Sequence, residues 1–315
     1  MEDRYNAPAP LATAERPLTA IIDSATRERL DSALAASKAP ATRKAYRAAW
    51  EAWTAWAGEH RASPLPAAPE AVAHYLAARA ATAGMATLRM ATAAIAAAHD
   101  LAGHSNPCAD RVVRTAMAGF ARQAADAGHV ARQAQGLTAE RVAAIRGALN
   151  GHADACPRAA RDMALVSVMA DGGLRRSEAA ALEWRDIERE ADGSGRLTVR
   201  RSKTDQNAEG AVVAVTPAAM EDLDRLASMR GECEAAAPVF GVSDRQIARR
   251  IAAAAKAAGL GDGYSGHSGR VGMAQRMTRN GAPAAAVMRQ GRWQSPAMVA
   301  RYTRNESAGE ALRYL

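Results

Sequence analysis

Helix punctuation governs this chain, and it breaks only once. From residue 23 to residue 128, apolar residues recur at three- and four-residue spacing in segments that open on a proline or a short polar residue and close on a glycine. In "TRKAYRAAWEAWTAWAGEH", opened by Thr42, the residues Tyr46, Trp50 and Trp53 form one aromatic stripe, which reads as a core face. Pro69 suits the first turn of "PEAVAHYLAARAATAG", while "MATLRMATAAIAAAHDLAG" and "CADRVVRTAMAGFARQAADAG" each stop at a glycine. With "TRERLDSALAAS" capped by Asp23 or Ser24, four or five helices fill this half. Residues 1–20, with prolines at 8, 10 and 17 and no apolar period, read as a disordered N-terminus.

The stretch "HVARQAQGL", 129–137, lacks an apolar period and reads as a linker between two domains. Helices resume at Thr138 and through "RAARDMALVSVMADGG", and then the period changes to two. "GRLTVRRSKT" alternates Leu197 and Val199 against Thr198 and Arg200, the polar run "SKTDQNAEG" follows, and "AVVAVT" supplies a second strand. A β-hairpin with a charged tip is expected there. Helical patterns return in "PAAMEDLDRLASMR", "SDRQIARRIAAAAKAAG", "SGHSGRVGMAQRMTRNG", "PAAAVMRQG", "SPAMVARYTR" and "SAGEALRYL". The chain therefore reads as mainly α with two domains: a helical one over 21–128, and an α+β one over 138–315 with a small antiparallel β-sheet.

Charge narrows the partners. Lys plus Arg number 41 against 33 Asp plus Glu, a net charge of +8, so the surface field attracts polyanions. Cys108, Cys156 and Cys233 lie far apart without a CxxC, which reads as free thiols in a reducing cytosol. The N-terminus is too polar for a signal peptide and no eighteen apolar residues run together, so a soluble cytoplasmic protein with no membrane partner is expected. No P-loop and no His/Cys cluster of metal-ligand spacing occurs, so neither nucleotide nor metal cofactor is expected.

Four places hold side chains suited to chemistry. In "SGHSGRVGMAQRM", His267 and Arg270 share a face near a helix start, where backbone N–H groups and the dipole favour a phosphate; Gly266 and Gly269 permit close approach of a ligand or of another backbone, which favours a site over packing. In "GGLRRSEAAAL", Glu178 stands three residues after Arg175 and can hold its guanidinium in one rotamer. Lys203 sits in the hairpin tip, where a lysine can give up a proton. In "GRWQSPAMVARYTR", Ser295 and Pro296 open a helix that carries Tyr302 two turns on, with the indole N–H of Trp293 just before it. Each of these alone fits a plainer role equally: a solvated helix face, a surface ion pair, a wet loop lysine, or aromatic packing.

Their order is more informative than any one of them. Arg with Glu, Lys in a hairpin, HxxR, then Gly-x-Trp nine residues before a Tyr resembles the tyrosine recombinase (phage integrase) family. The two quoted C-terminal segments match a well-known member nearly residue for residue, and the resemblance runs loosely from about residue 25 onward. It implies a tyrosine recombinase fold, with a helical core-binding domain and a catalytic domain. It implies a site-specific recombinase that cleaves and rejoins DNA through a 3′-phosphotyrosyl intermediate and a Holliday junction, without metal or ATP. Arg175, Lys203, His267, Arg270 and Trp293 would then be the catalytic ensemble, Tyr302 the nucleophile, and Glu178 a brace behind Arg175. Arg43, Lys44, Arg47 and Arg89 in the first domain, and Arg245, Arg249 and Arg250 in the second, are candidate DNA contacts, and Arg292 either contacts a backbone phosphate or is only solvated. The tail 306–315 would be an exchange helix donated between protomers, giving a homotetramer on double-stranded DNA with inverted half-sites. Two other readings stay open: a DNA-binding regulator that has lost catalysis, and a relaxing enzyme like the type IB topoisomerases.

Overall fold

The computed structural model describes residues 40–128, 133–153, 156–200 and 210–311. The expected helix over "TRERLDSALAAS" and the N-terminal 1–20 segment lie outside them. The chain divides into two compact units, Met1–Val130 and Ala131–Leu315.

The first unit is helical: α1 (Pro40–Glu59), α2 (Pro69–Ala80), α3 (Met85–Leu101), a 3-10 turn (Pro107–Ala109) and α4 (Arg111–Asp126). Its core gathers Trp53, Tyr75, Leu76, Leu88, Ile95 and Val113. Of the aromatic stripe on α1, Trp53 is fully buried and Trp50 packs partly against the core. The Trp53 indole N–H donates to the Pro64 carbonyl, 3.1 Å away, so burial leaves it satisfied. His99, buried in α3, accepts from the Ala67 amide at Nε2 (2.9 Å), and its Nδ1 lies 2.8 Å from the Ile95 carbonyl. An amide N–H can only donate, so Nδ1 carries the ring hydrogen, and the imidazole joins the loop at 67 to the helix.

The second unit is built around α6 (Pro157–Gly172), whose residues are nearly all buried. Around it pack α5 (Ala139–Ala153), α8 (Pro217–Arg230), α9 (Asp244–Ala257) and α10 (Ser268–Arg279). Pro157 and Pro217 occupy the first turns of α6 and α8, as their fixed φ favours. The sheet has three antiparallel strands in sequence order: β1 (Ile187–Arg189), β2 (Gly195–Val199) and β3 (Ala211–Val215). Leu197 pairs with Val213, and Leu197, Val199, Val213 and Val215 all face the core, the period-two pattern made physical. The expected hairpin is β2–β3; β1, only three residues long, had no alternation to betray it.

Two buried polar knots join these layers. Asp171 accepts from the Thr216 amide (2.8 Å) and hydroxyl (2.6 Å) and pairs with Arg276 at 2.7 Å. Asp222 accepts from Arg146 (2.6 Å) and from the Ser167 hydroxyl (2.6 Å). Paired in this way, the buried carboxylates avoid the cost of an isolated charge.

The C-terminal part contains α11 (Ala284–Gly291) and α12 (Pro296–Ala311). The sequence divided this last stretch into two helices, with a separate tail helix from 306. The backbone instead runs as one helix from Pro296 to Ala311, because nothing in "TRNESA" stops it.

Candidate active site

Five elements of the second unit bring the candidate residues together. α6 ends at Gly173, which takes the left-handed conformation (φ 55°) that glycine tolerates. Leu174 follows, and Arg175 is the N-cap of the short helix α7 (Arg176–Ala180). Glu178 in α7 folds back: its Oε2 accepts the Arg175 amide at 2.8 Å and its Oε1 accepts the Arg175 Nη1 at 2.6 Å. A single carboxylate thus fixes both the backbone and the guanidinium of Arg175. Burial alone would raise the Glu178 carboxyl; Arg292 above all, together with Arg175, outweighs this and holds it below the usual carboxylate range.

Arg176 takes a different place. Its side chain is exposed and lies over Gly266, where any Cβ would strike its methylenes.

α10 begins at Ser268, three residues later than the motif implied, with His267 as its N-cap. The His267 amide donates to the Ser265 hydroxyl (3.2 Å) and the Ser268 amide to the Ser265 carbonyl (3.0 Å), so these two N–H groups are already partnered. The His267 side chain is open to solvent. Partial desolvation, then Arg176, Arg270, Arg175 and Arg301, push its imidazole below the ordinary histidine value, so it is neutral at neutral pH.

Gly269 serves packing rather than ligand approach. A Cβ there would collide with the Met169 carbonyl of α6, and one at Gly272 would collide with the Leu137 carbonyl. These two glycines let α10 settle against its neighbours, which seats Arg270 in the interior. Arg270 is 3% exposed and donates Nη1 to the Gly173 carbonyl (2.7 Å) and Nη2 to the Gly291 carbonyl (2.6 Å). Burial first, then the guanidinium groups of Arg175 and Arg292, bring its pKa down to about 10, so it stays charged at neutral pH. Its guanidinium carbon lies 5.0 Å from the centroid of the Trp293 ring.

Trp293 and Tyr302 close the arrangement. Trp293 is buried among Met273, Ala274, Val287 and Val299, and its ring stacks on that of Tyr302 with centroids 4.9 Å apart and planes 10° from parallel. The Trp293 Nε1 is buried without a hydrogen-bond partner among the described residues. An orphaned buried donor is costly, and this one belongs to a ring packed against Arg270 and Tyr302.

The structure brings together Arg175, Glu178, His267, Arg270, Trp293 and Tyr302; Lys203 lies outside the described residues. Arg43, Lys44 and Arg47 are exposed along one side of α1, and Arg89, Arg245 and Arg249 are exposed on α3 and α9. Arg250 is half-buried and pairs with Asp162 at 3.6 Å. Arg292, expected at a backbone phosphate or in solvent, is not solvated but turned inward. Its side chain is 6% exposed and bonded to Glu178 and three backbone carbonyls, because a left-handed backbone (φ 52°) turns it inward. Sequence reasoning also missed Gln290. Its amide exchanges hydrogen bonds with both the N–H (3.2 Å) and the carbonyl (2.7 Å) of Ala214, tying edge strand β3 to the end of α11.

Residues 136–308 match the family model described as the phage integrase family. The chain is 28% identical over 286 residues to an integrase/recombinase xerD homolog of Selenomonas ruminantium, covering 84% of this chain and 82% of that protein. It is 26% identical over 289 residues to recombinase cre of Escherichia phage P1, covering 80% of each. A crystal structure of a lambda integrase (75–356) dimer bound to a COC′ core site shares the fold, with a TM-score of 0.59 at 20% identity, covering 88% of this chain and 93% of that one. By its mostly helical fold with a small antiparallel sheet, and by a family match that spans more than half its length, the chain belongs to the phage integrase family of tyrosine recombinases.

Proposed function

We propose that this protein is a site-specific DNA recombinase in which Tyr302 attacks a backbone phosphorus. The carrying observation is the Tyr302 ring stacked on Trp293, whose indole lies against the buried, charged Arg270 and whose N–H has no partner among the described residues. Arg175 and Arg270 clamp the non-bridging oxygens, and Trp293 adds a neutral donor as negative charge develops. His267, neutral at neutral pH, accepts the phenolic proton as the Tyr302 oxygen bonds to phosphorus. The bond from phosphorus to the 5′ oxygen breaks, and Lys203 protonates that leaving oxygen. The products are a 3′-phosphotyrosyl link and a free 5′ hydroxyl, and rejoining runs the same steps backward with a new 5′ hydroxyl. One phosphoester replaces another, so the exchange needs no ATP, and side-chain cations carry out the charge neutralisation without a metal.

The net charge of +8 and the exposed arginines on α1, α3 and α9 support double-stranded DNA as the partner. Two relatives bear the names of recombinases, which supports strand exchange over simple relaxation. The assembly proposed is a homotetramer on inverted half-sites, with residues 306–315 passed between protomers in the cytoplasm. Incubation with two duplexes in chelator and without nucleotide tests the reading. Recombinant joints and four-way intermediates are expected; relaxation of supercoils alone would point to a topoisomerase-like enzyme.

A further inference from the structure

We propose that Arg292 is a positioning residue that holds both arginines of the phosphate clamp in place. The inference rests on the reading of Arg175 and Arg270 as that clamp.

Arg292 is the C-cap of α11 and adopts φ 52°, ψ 50°, a left-handed conformation in which a Cβ is disfavoured. An arginine that accepts this conformation needs compensating contacts, and its side chain makes four hydrogen bonds inward. Nη1 donates to the carbonyls of Gly172 (3.1 Å) and Gln290 (3.0 Å). Nη2 donates to the Gly173 carbonyl and to Glu178 Oε2, each at 2.8 Å. Only Nε is left without a partner among the described residues.

Two of these acceptors are shared with the clamp. Glu178 holds the amide and guanidinium of Arg175, and the Gly173 carbonyl also takes Arg270 Nη1. Arg292 therefore touches the support of each clamp arginine. Its charge matters as well as its bonds. With Arg292 present, one buried carboxylate is divided between two guanidinium groups, which leaves Arg175 with positive charge to offer a phosphate. Without it, Glu178 would pair with Arg175 alone, and the join between the ends of α6 and α11 would lose its bridge.

The test uses R292G, since glycine accepts the same backbone conformation, and R292K, which keeps the charge but not the planar fork. Binding and Tyr302-linked adduct formation are measured on a nicked duplex selected by the wild type from a randomised pool. R292G is expected to bind within about twofold of the wild type but to cleave at least about tenfold more slowly, with partial restoration by added guanidinium ion. R292K is expected to remain slow. Cleavage by R292G at the wild-type rate would overturn the proposal, as would a loss confined to binding. Nitrogen-15 relaxation of the arginine Nε groups in the free, full-length protein gives a second readout, applied to R292K if R292G does not fold. Larger-amplitude motion of Arg175 and Arg270 is expected, and unchanged motion would overturn the proposal. A wild type that forms no adduct sinks the recombinase reading instead, and the relaxation measurement still decides the role of Arg292.

Discussion

The indole of Trp293 and the phenol of Tyr302 lie nearly parallel, centroids 4.9 Å apart, although they belong to different elements of the chain. The stack fixes the plane of the tyrosine ring by packing alone, because Trp293 is itself wedged among Met273, Ala274, Val287 and Val299. Among the described residues the buried indole N–H has no partner, so the same residue orients the candidate nucleophile and has a donor to offer.

Those two duties can be separated. Trp293→Phe keeps a stacking surface and removes the donor, so folding and DNA binding should persist. Cleavage should slow about 10- to 100-fold, the scale of one lost hydrogen bond to a charged acceptor. Single-turnover cleavage on a selected duplex measures this, and an unchanged rate would remove the N–H from the mechanism.

The pH profile reports on His267. Partial desolvation and the surrounding arginines disfavour its protonated form, so the base is available at neutral pH and is lost only on acidification. The cleavage rate should therefore fall as pH drops, with a midpoint below the ordinary histidine value of about 6.5. His267→Gln should flatten that limb. A midpoint above 6.5, or a limb that survives the substitution, would assign the titration elsewhere.

Gly269 tests how closely packing governs the site. Gly269→Ala drives a methyl into the Met169 carbonyl of α6, where only backbone movement can relieve the clash. A loss of about 1–3 kcal/mol in denaturant unfolding is expected, with cleavage impaired as Arg270 moves. Gly281→Ala, with open space around its would-be Cβ, is a poor control because its φ is 77°; Gly147→Ala, with neither constraint and in mid-helix, should stabilise by about 0.5–1 kcal/mol.

The arginines of α9 should behave unequally. Arg249 is exposed, whereas Arg250 is engaged by Asp162. Arg249→Ala should weaken DNA binding and lower the slope of log affinity against log salt by about 0.9, one phosphate contact, while Arg250→Ala should change the slope little. Equal slopes for both variants would contradict this assignment.

Much of the fold could be read from local signals. Pro217 marked a helix start to the residue, and alternation at Leu197 and Val199 marked the hairpin. Strand β1 was too short to carry a period, and the α12 segment offered no marker showing that it runs unbroken. At the site, Arg175 with Glu178 and His267 with Arg270 were legible because their spacing is local. Arg292 with Glu178 was not, since 114 residues separate them, and a lone arginine beside a tryptophan looks like any surface cation. The inward turn of its backbone, which decides its role, leaves no trace in residue type, because the conformation normally announces itself through glycine. Gly269 was misread for a related reason: a glycine beside a candidate site reads the same whether a ligand or a helix backbone comes close.

Covalent trapping decides whether Tyr302 is the nucleophile. The protein is mixed, in chelator and without nucleotide, with randomised duplexes nicked so that a cleaved fragment escapes, and denaturant-resistant protein–DNA adducts are isolated and sequenced. Attack by Tyr302 predicts adducts through that residue on a recurring sequence, abolished in Tyr302→Phe while DNA binding is retained. Tight, salt-sensitive binding to a selected sequence with no adduct, or adducts that survive Tyr302→Phe, would contradict it.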